Sequence, residues 1–377
     1  MIRKDFSDLK IEIQSNKISC YEHENYIAGV PPFLRGNSST MYLQTPIKSK
    51  FIIENNSPTS GNSIIKEKIK LGYNAFTLKF NSKNNNSGIL LNSIDDMISL
   101  LKDISLDEIL FTFNTNNENT IPIIAFFICA SKELGFKKEL LKFAIQINSE
   151  NFTNRNTLLN FLKHTINQLP NFESISFSAS NYSINGNLQN SLSNYFTTTS
   201  SFIQNCISEG IKIDTIASKI SFSFELDNNY FYNIAILKAS RFLWAKMISE
   251  FQPKDQISNA LQINIINSKS YLSTLTAILG GAQSIETTID NSFFIEKETY
   301  ITKTVDPLGG SSEIEKFTEE IILKTWKEVI NKQKNDSFNQ INEQVVISNE
   351  NLLELAIGAA KKRIKLDEIF KLISIKI

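Results

Sequence analysis

The chain is poor in the residues that most often announce a chemistry. Its 377 residues include two histidines, three cysteines and two tryptophans. His23 and His164 show neither H-x-x-x-H nor H-E-x-x-H spacing, and no third ligand lies near either in sequence. Zinc hydrolysis and a resident metal are therefore not expected. His164 reads as a helix-surface residue, and His23, between Glu22 and Glu24, as part of a solvated face. Cys20, Cys129 and Cys206 are odd in number and far apart, which suits neither a disulfide framework nor a CxxC site and fits a reducing compartment. The longest apolar run, 121–130, is half of the ~20 residues needed to cross a bilayer, and reads as a buried helix. The start, Met1-Ile-Arg-Lys-Asp-Phe, lacks the apolar stretch of a signal peptide. With 39 basic and 39 acidic side chains there is no electrostatic footprint for nucleic acid or an anionic membrane. The expectation is a cytoplasmic protein that engages neither.

What is abundant is apolar surface. A hydrophobic fraction of 41% with 27 phenylalanines can fill a large core and excludes a disordered chain. Residues 1–70 carry no long periodic pattern and read as an N-terminal arm with a loop at Pro31-Pro32. From residue 71 the pattern alternates. Strand-like runs fall at 75–80, 109–114, 141–147, 173–180, 219–225, 260–266, 283–288 and 300–305, each but the seventh followed by a helical stretch. Such alternation means parallel strands joined by helical crossovers, and the length matches a (β/α)8 barrel over 71–335. Residues 336–377 read as a short helical tail. The seventh unit is too short for a helix, and no G-x-G-x-x-G follows the first strand, so a dinucleotide-binding sheet has little support.

The strand faces add a functional hint. Ser174, Ser176, Ser178 and Ser180 alternate with Ile175, Phe177 and Ala179, and Ser221 and Ser223 alternate with Phe222 and Phe224. Thr112 and Asn114 alternate with Phe111 and Phe113 in the same way. Residues two apart share one face of a strand. In a barrel ringed by helices the apolar face points outward, leaving hydroxyls along the axis, where most barrels place bulky aliphatic residues. Such an axis has room for a thin ligand or ordered water. An antiparallel sheet with one wet face has the same alternation but not the intervening helices.

No G-x-S-x-G elbow or G-x-x-x-x-G-K-[ST] loop occurs. Two glycine pairs do. Gly280-Gly281 reads as a helix C-cap, and Gly309-Gly310 either as a tight turn or, with Ser311, as an anion site opening the next helix. These pairs belong to a wider set of strings. The N-terminal motif Tyr26-Ile-Ala-Gly29-Val-Pro31-Pro32-Phe33-Leu-Arg35-Gly36, ending in Thr40-Met41-Tyr42, comes first. Leu91-Asn-Ser93-Ile94-Asp95-Asp96-Met97, Arg241-Phe-Leu243-Trp244-Ala245, Gly280-Gly281-Ala282-Gln283-Ser284 and Val305-Asp306-Pro307-Leu308-Gly309-Gly310-Ser311 follow in that order. Together they resemble the methylmalonyl-CoA mutases.

The resemblance implies a (β/α)8 barrel whose axis is threaded by the pantetheine arm of an acyl-CoA, with adenosylcobalamin on a separate C-terminal domain. It also implies Arg35, Thr40, Tyr42, Asn181 and Gln283 as substrate-binding positions, and Gly280 and Gly281 as cofactor-binding ones. The departures are equally informative. Neither histidine stands in the D-x-H-x-x-G motif through which the family ligates cobalt, so no cofactor is expected on this chain. In 179–186, Asn181 occupies the position of the histidine that contacts the thioester carbonyl, and an amide cannot carry the proton or charge that imidazole can. Asn37-Ser38 replace the Pro-Tyr of the catalytic chains, removing an aromatic ring from beside the radical centre.

These losses, with Ala179-Ser180-x-Tyr182, resemble the small, catalytically silent subunit of heterodimeric methylmalonyl-CoA mutases. The expectation is a non-catalytic partner of a large, cobalamin-carrying catalytic subunit, with no catalytic residue of its own. Two other readings stand beside it. The chain could support isomerisation through Asn181 with cobalamin supplied by another protein, or could be a stand-alone acyl-CoA-binding module using Arg35 and the Gly309–Ser311 loop.

Overall fold

A computed structural model describes residues 22–54, 57–81, 88–115, 119–148, 155–166, 168–178, 188–288, 298–339 and 350–376. Eight parallel strands close into a barrel in simple sequence order. They are β1 (Lys48–Ile53), β2 (Ala75–Lys79), β3 (Leu110–Asn114), β4 (Lys142–Asn148), β5 (Phe172–Ser178), β6 (Ile220–Glu225), β7 (Gln262–Ser268) and β8 (Ser284–Thr287). Closure is direct: Lys48, Ser49, Lys50 and Phe51 of β1 lie in parallel register with Ser284, Ile285, Glu286 and Thr287 of β8.

The helices between them are α1 (Pro58–Lys70), α2 (Ile94–Leu101), α3 (Thr120–Glu133), α4 (Arg155–Thr165), α5 (Leu188–Ser208), α6 (Ile213–Ala217), α7 (Tyr230–Ser249) and α8 (Tyr271–Leu279). After β8 comes the long α9 (Ser312–Asn339), then the tail helices α10 (Leu352–Lys361) and α11 (Leu366–Ser374).

The barrel is thus the one read from the sequence, with one unit displaced at each end. Its first strand, Lys48–Ile53, lies inside the stretch assigned to the arm, so the barrel starts before residue 71. The run at 300–305 is not a strand. Tyr300 adopts a left-handed backbone (φ 55°) and Ile301–Lys303 form a short 3-10 turn, with Ile301 packed against buried Ile234, Leu279 and Ile314. The run at 283–288 is therefore the eighth strand rather than the seventh, and α9 is its helix. The apparently helix-less unit was a consequence of starting the count one strand late.

Phenylalanines fill the layer between strands and helices. Phe76, Phe111, Phe113, Phe143, Phe172, Phe177 and Phe222 all point away from the axis and are buried. Their rings meet in edge contacts, such as Phe113 with Phe127 at 4.9 Å and Phe222 with Trp244 at 5.6 Å between centroids. Such pairs add directionality to the area they remove from water.

Helix α3 contains the apolar run and is buried along 120–131. One side faces the barrel and the other is covered by the tail. The Cys129 thiol lies 3.6 Å from the Ile357 carbonyl, the Leu366 amide donates to the Asn92 carbonyl at 3.0 Å, and Arg363 pairs with Asp95 and Glu133. The tail therefore completes the barrel's own core.

Candidate functional site

The bore is built by every second residue of the strands. On the β5–β8 side it holds a hydroxyl and amide network. Asn264 Nδ2 donates to Ser176 Oγ and Ser221 Oγ, each at 3.1 Å, and Ser284 Oγ donates to Asn264 Oδ1 at 2.5 Å. The hydroxyls of Ser176 and Ser223 share a 2.5 Å bond, and Ser221 Oγ donates to Ser174 Oγ at 3.2 Å. Alternation in the sequence indicates Ser174, Ser176, Ser221 and Ser223 but not Ser284. On the opposite side the bore carries charge. Lys50 and Glu286, register neighbours across β1 and β8, both point inward and are buried.

Thr77 Oγ1 donates to Glu286 Oε1 at 2.7 Å, while Glu286 Oε2 and the Thr112 hydroxyl are buried with no hydrogen-bond partner among the described residues. Burial pushes the Glu286 carboxyl up from its ordinary range, with Lys50 and the Thr77 hydroxyl opposing, and pushes the Lys50 ammonium down, with Glu286 and Glu173 opposing. The sequence reading missed both residues. Lys50 sits in an unrecognised strand, but Glu286 shares a face with Ser284 in a strand that was recognised, so period two alone could have placed it in the bore.

The mid-bore side chains Thr77, Thr112, Ser176, Ser223 and Glu286 are all at most 3% exposed. Below them, at the N-terminal ends of the strands, lies a cavity of about 430 Å³ bordered by Ser174, Ser221, Asn264, Ser284, Lys48 and Lys50. Above them, at the C-terminal ends, is one of about 50 Å³ beside Glu54, Lys79 and Thr288.

A second constellation lies off the axis, and four of the five sequence strings converge on it. Arg35, 6% exposed, donates to Glu315, to Asp306 Oδ2 at 3.1 Å and to the His23 carbonyl at 3.0 Å. Lys238 reaches the other oxygen of Asp306 at 2.6 Å. Arg241, 1% exposed, donates to the carbonyls of Phe33 (3.2 Å), Leu34 (3.0 Å) and Gly280 (2.7 Å). Gly281 has φ +80°, and a Cβ there would stand 3.0 Å from Arg241 Nη1, so this pair of glycines lets the guanidinium lie against the backbone.

Burial holds Arg241 down at about 10, against the opposing pull of Asp306 and the Tyr42 oxygen. Glu315 goes the other way. Burial would raise its carboxyl, but hydrogen bonds from His23, Arg35 and the Gly310 amide, with Lys238 nearby, hold it at about 2. These groups fasten residues 23–42 of the arm to α7, the 280–283 turn and the start of α9. His23, expected on a solvated face, is one of them: its Nε2 is 2.9 Å from Glu315 Oε2, and the residue is buried. The fifth string is a helix start, with Ser93 and Asp96 forming the reciprocal capping box of α2.

The positions implied by the resemblance divide between the two constellations. Arg35, Gly280 and Gly281 belong to the off-axis lock. Tyr42 and Gln283 lie between lock and lower cavity, lining the latter. The Tyr42 hydroxyl donates to the Ala282 carbonyl at 2.6 Å, and burial pushes its pKa above the ordinary tyrosine value. Gln283 accepts from the Ile263 amide and donates to the Gly281 carbonyl, both at 2.8 Å. Thr40, half-buried, donates to Gln44 at 3.0 Å. Asn181 lies outside the described residues. His164, half-buried on α4, has a buried Nε2, and His23 is held against Glu315. Neither imidazole fits a ligand role toward the cobalt of a corrin. Among the described residues no cluster of His, Cys, Asp and Glu suits a metal ion, and no helix is long and apolar enough to cross a membrane.

Fold and bore together define a (β/α)8 barrel with a polar, hydrogen-bonded axis and an arm locked across its outside. The family described as methylmalonyl-CoA mutase matches residues 6–288 and 276–336. The chain belongs to the methylmalonyl-CoA mutase family. A methylmalonyl-CoA mutase of Rhizobium meliloti is 26% identical over an alignment of 381 positions, gaps included, that covers 85% of this chain and 53% of that protein. A methylmalonyl-CoA mutase large subunit of Porphyromonas gingivalis is 26% identical over 364 residues, covering 81% of this chain and 51% of that one. The chain thus spans about half the length of the curated relatives it matches. Among solved structures, a dihydropteroate synthase from Coxiella burnetii superposes over 71% of this chain and 93% of its own with a TM-score of 0.38 and 12% identity, a likeness too weak to bear on function.

Proposed function

We propose that this chain is a non-catalytic barrel subunit of an adenosylcobalamin-dependent methylmalonyl-CoA mutase, whose partner is a large subunit that binds the cofactor and isomerises methylmalonyl-CoA and succinyl-CoA. One observation carries the reading. An acyl-CoA that threads a barrel needs a continuous axial channel, and here the middle of the bore is occupied by a buried layer, with Thr77 bonded to Glu286 and Ser176 to Ser223, that includes an ionisable carboxyl. Family membership and the large-subunit name of the Porphyromonas gingivalis relative agree with a two-chain enzyme. The role of this chain is then to stabilise its partner, since a protein that binds only the folded form of another shifts its unfolding equilibrium by mass action.

Co-expression with the cobalamin-carrying chain of the same source tests this. The two are expected to co-elute, and the large chain alone is expected to unfold at a lower temperature. Separate elution with an unchanged melting temperature would contradict it.

A further inference from the structure

The lower cavity is not used by the lock, by the core or by the proposed subunit role. Its volume, about 430 Å³, is in the range of small-molecule sites. The cations in its wall differ. Lys48 is neutralised by Glu173 at 2.8 Å, near the solvent. Lys50 is deeper, 5% exposed, and among the described residues no hydrogen bond reaches its Nζ and no carboxylate lies within 4 Å. Its register neighbour Glu286 turns one oxygen to Thr77, away from the cavity's lining. Glu286 and Glu173 act on this ammonium only through space, so its three N–H donors are unused, and a ligand that accepts from them offsets the cost of its burial. The wall around Lys50 is polar: the Ser174 hydroxyl accepts from Ser221 and keeps its own proton to donate, while Ser221, Ser284 and Asn264 are bonded to one another or to Ser174 and Ser176 and fix its position.

We propose that this cavity is a binding site for a compact anion, a phosphate or carboxylate group held by the Lys50 ammonium and the Ser174 hydroxyl, and that the closed layer above it excludes any ligand that must thread the axis. The anion is either a free metabolite or the charged end of a larger molecule that stays in the mouth.

Calorimetric titration of the full chain with inorganic phosphate, succinate and CoA tests the proposal. Phosphate or succinate is expected to bind saturably, and about tenfold or more weakly to Lys50→Met, because a charge-assisted bond is lost. Lys50→Arg should retain binding, and Ser284→Val, on the same cavity wall, should weaken it even if Lys50→Met does not fold. A saturable CoA signal that weakens in Lys50→Met marks the charged end of a larger ligand as the occupant. No saturable binding of any probe would overturn the proposal, as would equal binding by Lys50→Met. CoA bound more tightly than phosphate and indifferent to position 50 would do the same. The titration uses this chain without a partner, so its failure leaves the subunit reading untouched.

Discussion

At the scale of single residues, the strings that identify the family are mostly structural. Arg241 is the clearest case, because one guanidinium satisfies three buried carbonyls from two distant segments. Arg241→Met leaves those carbonyls without a donor and is expected to cost about 3 kcal/mol or more. The urea midpoint should drop with an unchanged slope, since the exposed area on unfolding is the same. Glu315 gives a pH signature. Its folded-state value of about 2 lies below the ordinary 4.5. The stabilisation it provides is therefore complete above about pH 4.5 and is lost as pH falls towards 2. The stability gap between the parent and Glu315→Gln should be constant at neutral pH and shrink across that window. A gap that persists at pH 2 would show that the carboxylate is not what holds the arm.

At the scale of elements, alternation made seven of the eight strands legible, because Phe and Ile on one face and Ser on the other repeat with period two. Strand β1 escaped because Lys48-Ser-Lys50 begins with charge, Ile52 points into the bore between outward Phe51 and Ile53, and the strand follows an irregular arm. The false strand at 300–305 shows the converse, a β-branched run that forms a turn, with Ile301 half-buried against Ile234 and Leu279 and Tyr300 exposed. The alternating serines did identify a polar axis, but neither the Lys50–Glu286 pair nor the closure of the bore could be read locally, since register between the first and last strands decides both. The arm's motif was visible as a string, while its partners, Asp306 and Glu315, lie more than 250 residues away.

The burial of α3 on all sides along 120–131 is explained only by the tail that covers it. Ala356→Asp, placing an unpaired charge in that contact, should detach α10, expose α3 and cause dye binding and aggregation while the strand signal persists. In the aromatic layer, Phe143→Ala is expected to cost about 3–5 kcal/mol through the cavity it leaves.

At the scale of the whole molecule, the family's barrel is kept and its axis is filled. A conserved architecture with a closed bore makes sense if the surface rather than the channel is what a partner uses, and the polar mouth then carries only a small anion. The most direct test is the stoichiometry of methylmalonyl-CoA bound by the assembled complex with the cobalamin-carrying subunit, read by equilibrium dialysis. One acyl-CoA per pair of chains is the predicted result; two per pair, the second unchanged by Lys50→Met, would mean that this barrel is threaded as well.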